Sequence, residues 1–112
     1  MNLTIEHIGE VVVVGVQGDH LDMGNAETFV DTISPTLETA TNILLDMRQL
    51  QFVDSAGLGA LMACRRLLSS SGGELTLCGM SKKVRSVFDI SRMHRLFRIA
   101  ASLEEAMPTT EN

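Results

Sequence analysis

Leu50-Gln51-Phe52-Val53-Asp54-Ser55-Ala56-Gly57-Leu58-Gly59 decides how this chain is read. The apolar run Asn42 to Met47 leads into it, with Asp46 at its end, and has the length of a short buried strand. Beyond it, Leu58, Leu61, Met62 and Leu68 recur at helical spacing, and Ala60, Ala63, Cys64 and Leu67 widen the stripe. A small hydroxyl residue, Ser55, therefore sits where a strand hands over to a helix. The first turn of a helix carries unpaired N–H groups and the positive end of the helix dipole, so it tolerates negative charge. Asp54 and Ser55 are also both favoured N-cap residues, and a purely structural capping role accounts for them equally well at this level.

Working towards the N-terminus, Asn25, Ala26, Phe29, Val30, Ile33 and Leu37 mark an earlier helix. Pro35 lies inside that pattern and is expected to bend the helix or end its regular part near Ser34. Gly18 to Gly24 reads as a loop. Val11 to Val16 is a β-branched run expected to form a buried strand, paired through the Gly9-Glu10 turn with a half-buried strand over Leu3 to His7. Towards the C-terminus, Ser71-Gly72-Gly73 stops the second long helix. Glu74 to Cys78 is a strand, and Ser81 caps a helix with Val84, Val87 and Phe88 inward. Leu96 to Ile99 is expected as an edge strand, and Ser102-Leu103-Glu104-Glu105 has the spacing of a capping box opening a short helix. Strands alternating with helices imply parallel crossovers. The fold class is thus α/β, a mixed sheet of about four or five strands with helices mainly on one face. Residues 1–107 form one domain in this reading, and 108–112 a polar, frayed tail.

The 112 residues carry a net charge of -5 with only nine Lys plus Arg, which argues against nucleic acid as a partner. There is no Trp or Tyr, so aliphatic residues and Met must fill the core. Cys64 and Cys78 belong to no Cys/His cluster, and they read as reduced buried thiols of a cytoplasmic protein rather than zinc ligands. Neither a signal-peptide pattern nor a run long enough for membrane insertion is present. No metal or cofactor is expected.

The element order and the loop sequence together resemble the STAS domain of bacterial anti-sigma-factor antagonists, from about Leu3 to Met107. Asp54-Ser55-Ala56-Gly57-Leu58-Gly59 is similar to the family's Asp-Ser-[Ser/Thr]-Gly-Leu-Gly. Leu21-Asp22 followed by Asn25-Ala26-Glu27-Thr28 resembles its Leu-Asp and helix start. Gly72-Gly73-Glu74-Leu75 and Val84-Arg85-Ser86-Val87-Phe88-Asp89-Ile90 resemble its later strand and helix. Two departures stand out. Ala56 replaces the family's second hydroxyl, and Gly18-Asp19-His20-Leu21-Asp22 is one residue longer than the family's Gly-Glu-Leu-Asp.

The resemblance implies a binding protein in a partner switch, not an enzyme. It implies that Ser55 is phosphorylated by a serine protein kinase that is also the anti-sigma factor. The unphosphorylated protein would hold that kinase and free a sigma factor, and a PP2C-type phosphatase would reset the switch. Asp22, Asp54, Ser55, Ala56, Gly57 and Leu58 would form the docking surface. A different reading is a STAS subunit of a transport or signalling assembly, such as a lipid-transport accessory protein, which binds without phosphorylation.

Enzyme readings have weaker support in the residues. Gly57-Leu58-Gly59 lacks a dinucleotide fingerprint's third glycine and a P-loop's lysine. Ser55 is not in Gly-x-Ser-x-Gly, and His7, His20 and His94 are scattered. Arg92, His94, Arg95 and Arg98 make a basic stretch that reads either as solvated charge or as a contact for an acidic or phosphorylated partner.

Overall fold

A computed structural model describes residues 2–108. The expected polar tail lies, apart from Pro108, outside the described residues. Strand β1 (Asn2–Ile8) turns through Gly9 into β2 (Val11–Gln17), and a two-residue strand β3 (His20–Leu21) follows. Helix α1 (Ala26–Thr39), β4 (Asn42–Asp46), a second two-residue strand β5 (Phe52–Val53) and helix α2 (Ser55–Ser70) come next. The chain then forms β6 (Glu74–Cys78), α3 (Lys82–Ile90), a 3-10 turn (Met93–Arg95), β7 (Arg98–Ala100) and α4 (Leu103–Ala106). The main sheet has five strands in the order β1-β2-β4-β6-β7. Only the β1–β2 pair is antiparallel; the other neighbours run parallel. This is the mixed α/β sheet expected from the element order.

The alternation of strand side chains divides the core into two layers. Val12, Val14, Val16, Ile43, Leu45, Leu75 and Leu77 face α1, α2 and α3, and join Phe29, Ile33, Leu61, Leu68 and Phe88 in one buried cluster. Val11, Val13, Leu44 and Cys78 point to the opposite face, where Leu103, Ala106 and Met107 pack on them. Three helices thus cover one face, and the short α4 shields part of the other. Each fully buried leucine or phenylalanine in the larger cluster contributes about 1.5–3 kcal/mol.

The ends of α2 follow from its sequence. Asp54 caps the start. At the other end Gly72 takes φ of +82°, its N–H bonds to Ser69 O at 2.9 Å, and the Gly73 N–H bonds to Leu68 O at 2.8 Å. Those two bonds satisfy carbonyls that the helix end would leave unpaired.

Several expectations are corrected. Strand β1 is not half-buried: Leu3 alone is partly covered, while Ile5 and Ile8 are 45% and 41% exposed. The strand lies at the sheet edge, and of its residues Leu3 alone packs against a buried cluster. Helix α1 does not end near Ser34 but continues through Pro35 to Thr39. Ile33 and Leu37 are both buried on either side of the proline. Their burial offsets the roughly 3 kcal/mol that an interior proline costs. Leu67, expected to widen the buried stripe of α2, is 49% exposed. The last strand lies at Arg98–Ala100 rather than Leu96 to Ile99, because the 3-10 turn consumes the residues before it. Phe97 is buried instead against Phe88, edge to face, with ring centroids 5.8 Å apart.

Candidate functional site

The site is built where two loops meet. Strands β3 and β5 pair in parallel, His20 opposite Phe52 and Leu21 opposite Val53. Leu21 and Val53 are buried and pin the loops to the core. The Gln51 and Phe52 N–H groups both donate to Asp19 O, at 2.7 and 3.1 Å. Each chain then leaves the pair with an aspartate, Asp22 after Leu21 and Asp54 after Val53. The pairing therefore brings Asp22 and the start of α2 to the same end of the molecule, despite the additional residue in the Gly18–Asp22 loop.

Asp54 serves both loops. Its Oδ1 accepts the Gly57 N–H at 2.9 Å, capping α2, and its Oδ2 accepts the Met23 N–H at 3.1 Å. The Gly57 N–H is the main cause holding its carboxyl below the usual carboxylate range. Partial desolvation opposes this, and the Met23 N–H reinforces it. A depressed carboxylate pKa contributes stability that is present above the unfolded value, about 3.9, and lost as pH falls through the folded value. Asp54→Asn keeps a good cap but removes the titration. Urea melts of this variant at neutral pH and below pH 4 are expected to show a smaller acid-induced loss of stability than the wild-type protein shows. An equal loss in both proteins would remove Asp54 from the acid response.

Asp22 organises its own loop. Its Oδ1 accepts the Gly24 N–H at 2.9 Å, and its backbone carbonyl accepts the Ala26 N–H at 2.8 Å, opening α1. The Asn25 side chain accepts the Asp22 N–H and donates to His20 O, at 2.9 and 3.0 Å. Asn25 thus closes the loop rather than capping the helix with its side chain. His20 is held above the ordinary imidazole range, first by its hydrogen bond to Asp19 and then by the charge of Asp22. It belongs to this end of the molecule, although as one of three scattered histidines it carried no signal.

Ser55 is the first residue of α2 and is exposed. Among the described residues its hydroxyl makes no hydrogen bond, so it faces solvent at a helix N-terminus. Asp22, Asp54 and Ala56 are half-buried. Gly57 and Leu58, expected on the docking surface, are instead buried. A Cβ on Gly57 would stand 2.1 Å from Leu21 O, so this glycine is where α2 touches the β3 backbone. Leu58 turns into the core beneath. Gly59, in contrast, is exposed and open. The structure adds two residues not singled out from the sequence: Met23, 83% exposed beside Asp54, and Phe52, 54% exposed just before it. Isolated exposed apolar residues are ordinary on a surface, and only their place near Asp54, in the loops that lead to Ser55, marks these two.

The thiols lie apart from this site. Both cysteines are buried, and burial pushes Cys64 up to about 12 and Cys78 up to about 11, leaving unreactive thiols. Among the described residues no cluster of His, Cys, Asp and Glu could hold a metal ion, and no helix is long and apolar enough to cross a membrane.

The sequence model of the STAS domain matches residues 2–106. A candidate anti-sigma factor antagonist of Bordetella bronchiseptica is 31% identical over 107 residues, covering 95% of this chain and 91% of that one. Among solved structures, a candidate anti-sigma factor antagonist from Thermotoga maritima superposes with a TM-score of 0.86 at 25% identity, covering 94% and 91% of the two chains. The Bacillus cell fate determinant SpoIIAA, solved in its phosphorylated form, superposes with a TM-score of 0.67 at 28% identity, covering 94% and 96%. With a match across nearly its whole length, in sequence and in fold, this chain belongs to the STAS domain family.

Proposed function

We propose that this protein is an anti-sigma-factor antagonist that works as a phosphorylation-controlled partner switch. The observation that carries the reading is the solvent-facing Ser55 hydroxyl on the first turn of α2, directly after Asp54, whose carboxylate accepts the Met23 N–H. The relative solved in a phosphorylated form supports it. With Ser55 unmodified, the end of the molecule formed by Asp22, Met23, Asp54, Ser55 and Ala56 binds an anti-sigma factor that is also a serine protein kinase. Phosphorylation adds about -1.5 to -2 charge, which the helix N-terminus tolerates within the protein but a surface shaped for a hydroxyl does not. Release follows, and a PP2C-type phosphatase restores the serine. The protein acts by binding rather than by catalysis, as a single domain over residues 1–107, in the cytoplasm.

Ala56 leaves Ser55 as the one hydroxyl in the loop. Reaction with the partner kinase and ATP, followed by mass spectrometry, is expected to place a single phosphate on Ser55. Undiminished phosphorylation of Ser55→Ala would overturn the assignment.

Asp22 is assigned to the docking surface. Asp22→Ala removes the bond to the Gly24 N–H, a loss of roughly 0.5–1.5 kcal/mol for one such hydrogen bond. Partner affinity is expected to drop several-fold in a binding titration, more than that small stability change explains. Unchanged affinity with a large drop in a urea melt would make Asp22 a loop clamp alone.

A further inference from the structure

At the far end of α2 the basic residues noted in the sequence gain a partner from elsewhere in the chain. Arg65, on α2, joins Arg95 and Arg98 around a cleft of about 320 Å³ that also takes in Ser69, Glu74 and Phe97. Ser55 opens the same helix, and Arg65 lies about 15 Å further along its axis, at the usual rise per residue. This is therefore a separate site from the switch serine.

Charge decides what the cleft suits. Arg98 is ion-paired with Glu74, the acidic residue of the lining. Among the described residues, Arg65 and Arg95 have no carboxylate within ion-pair distance, although Arg48 and Arg85 each have one. Arg65 and Arg95, without an ion-pair partner among the described residues, therefore line one concave surface in a chain whose net charge is -5. A carboxylate would balance one of them. A phosphate monoester, at about -1.5 to -2 near neutral pH, balances both, and guanidinium forks match its oxygens in bidentate fashion. An extended polyanion such as nucleic acid would meet the negative remainder of the surface.

We infer that the cleft between Arg65, Arg95 and Arg98 is a binding site for a phosphate monoester group, either on a small phosphorylated compound or on a phosphorylated side chain of another protein. The Ser69 side of the lining supplies a hydroxyl, and Phe97 an apolar wall. The group would dock against Arg65 and Arg95, with the Arg98–Glu74 pair forming one edge.

The test is an amide NMR titration of the full chain at low ionic strength, with the small monoester glycerol 2-phosphate in one arm and a phosphoserine pentapeptide of otherwise neutral residues in the other. Saturable shifts are expected at the amides of Arg65, Ser69, Gly73 and Arg95 to Arg98. Arg65→Gln combined with Arg95→Gln is expected to weaken binding about tenfold or more, whereas Lys82→Gln combined with Lys83→Gln leaves it unchanged. Tighter binding in the peptide arm identifies a phosphorylated side chain as the source, and tighter binding of glycerol 2-phosphate a small compound. Shifts that never saturate, or that appear equally around Lys82 and Lys83, would overturn the inference. So would a double arginine variant with wild-type affinity. Arg95 is exposed, so Arg95→Gln alone, with its thermal midpoint unchanged, serves if the double variant does not fold.

Discussion

Ser55→Asp is expected to weaken binding of the kinase proposed as partner about tenfold or more, roughly 1.4 kcal/mol, while the thermal midpoint stays within a few degrees of wild type. The two halves of this result have different causes. Residue 55 is exposed, and its hydroxyl makes no hydrogen bond among the described residues, so the substitution breaks none there. An acidic residue in the first turn also interacts favourably with the helix dipole. In the complex the same carboxylate must lose its water and face a surface that fitted a serine, beside the existing charges of Asp22 and Asp54. Isothermal titration with the kinase, beside a thermal melt, separates the effects. Wild-type affinity would remove charge at this position as the switching agent. A collapse in thermal midpoint would mean that residue 55 supports the fold.

Gly57→Ala should be the most damaging single-methyl change in the loop. A Cβ there would lie 2.1 Å from Leu21 O, and 3.0 Å from both the Leu21 carbonyl carbon and Val53 Cγ1. The nearest atom is backbone and cannot rotate away. It belongs to the short β3–β5 pair, and Leu21 O also accepts the Asp54 N–H at 3.4 Å. Either the first turn of α2 or strand β3 must retreat. Overpacking of this kind costs about 1–3 kcal/mol, visible as a fall of several degrees or more in the melting midpoint. Because Asp22 and Met23 follow Leu21 directly, partner binding should weaken with it. Gly59→Ala is the matched control: the position is exposed, helical and open, so alanine should stabilise α2 by roughly 0.5–1 kcal/mol. Equal melting of the Gly57→Ala and wild-type proteins would show that the contact yields without cost.

The difference between the two glycines shows what local sequence can express. Asp54-Ser55-Ala56-Gly57-Leu58-Gly59 was legible as a strand-to-helix junction with a hydroxyl at its start, because caps and helical periodicity are written within a few residues. Which of Gly57 and Gly59 faces the core was not legible, because it depends on where the Leu21 backbone arrives. Strands β3 and β5 were missed for a related reason. Two residues cannot show a period, and the pairing joins His20–Leu21 to Phe52–Val53 across a helix and a strand. Asp54 was readable as a cap, but its second bond, to the Met23 N–H, required that pairing. Arg95 and Arg98 were visible as a basic stretch, and Arg65 joined them only when α2 packed beside the start of β6.

The sequence by itself determined the order of the main-sheet strands and the four helices, and the position of Ser55 at a helix N-terminus. Those follow from the spacing of apolar side chains and from capping chemistry, which act over one or two turns of chain. Only the tertiary structure decided which residues surround Ser55, that Gly57 and Leu58 lie beneath the surface rather than on it, and which arginines share a cleft. Those depend on contacts between segments far apart in the chain, made only when the helices settle on the sheet and the remaining loops take up what space is left.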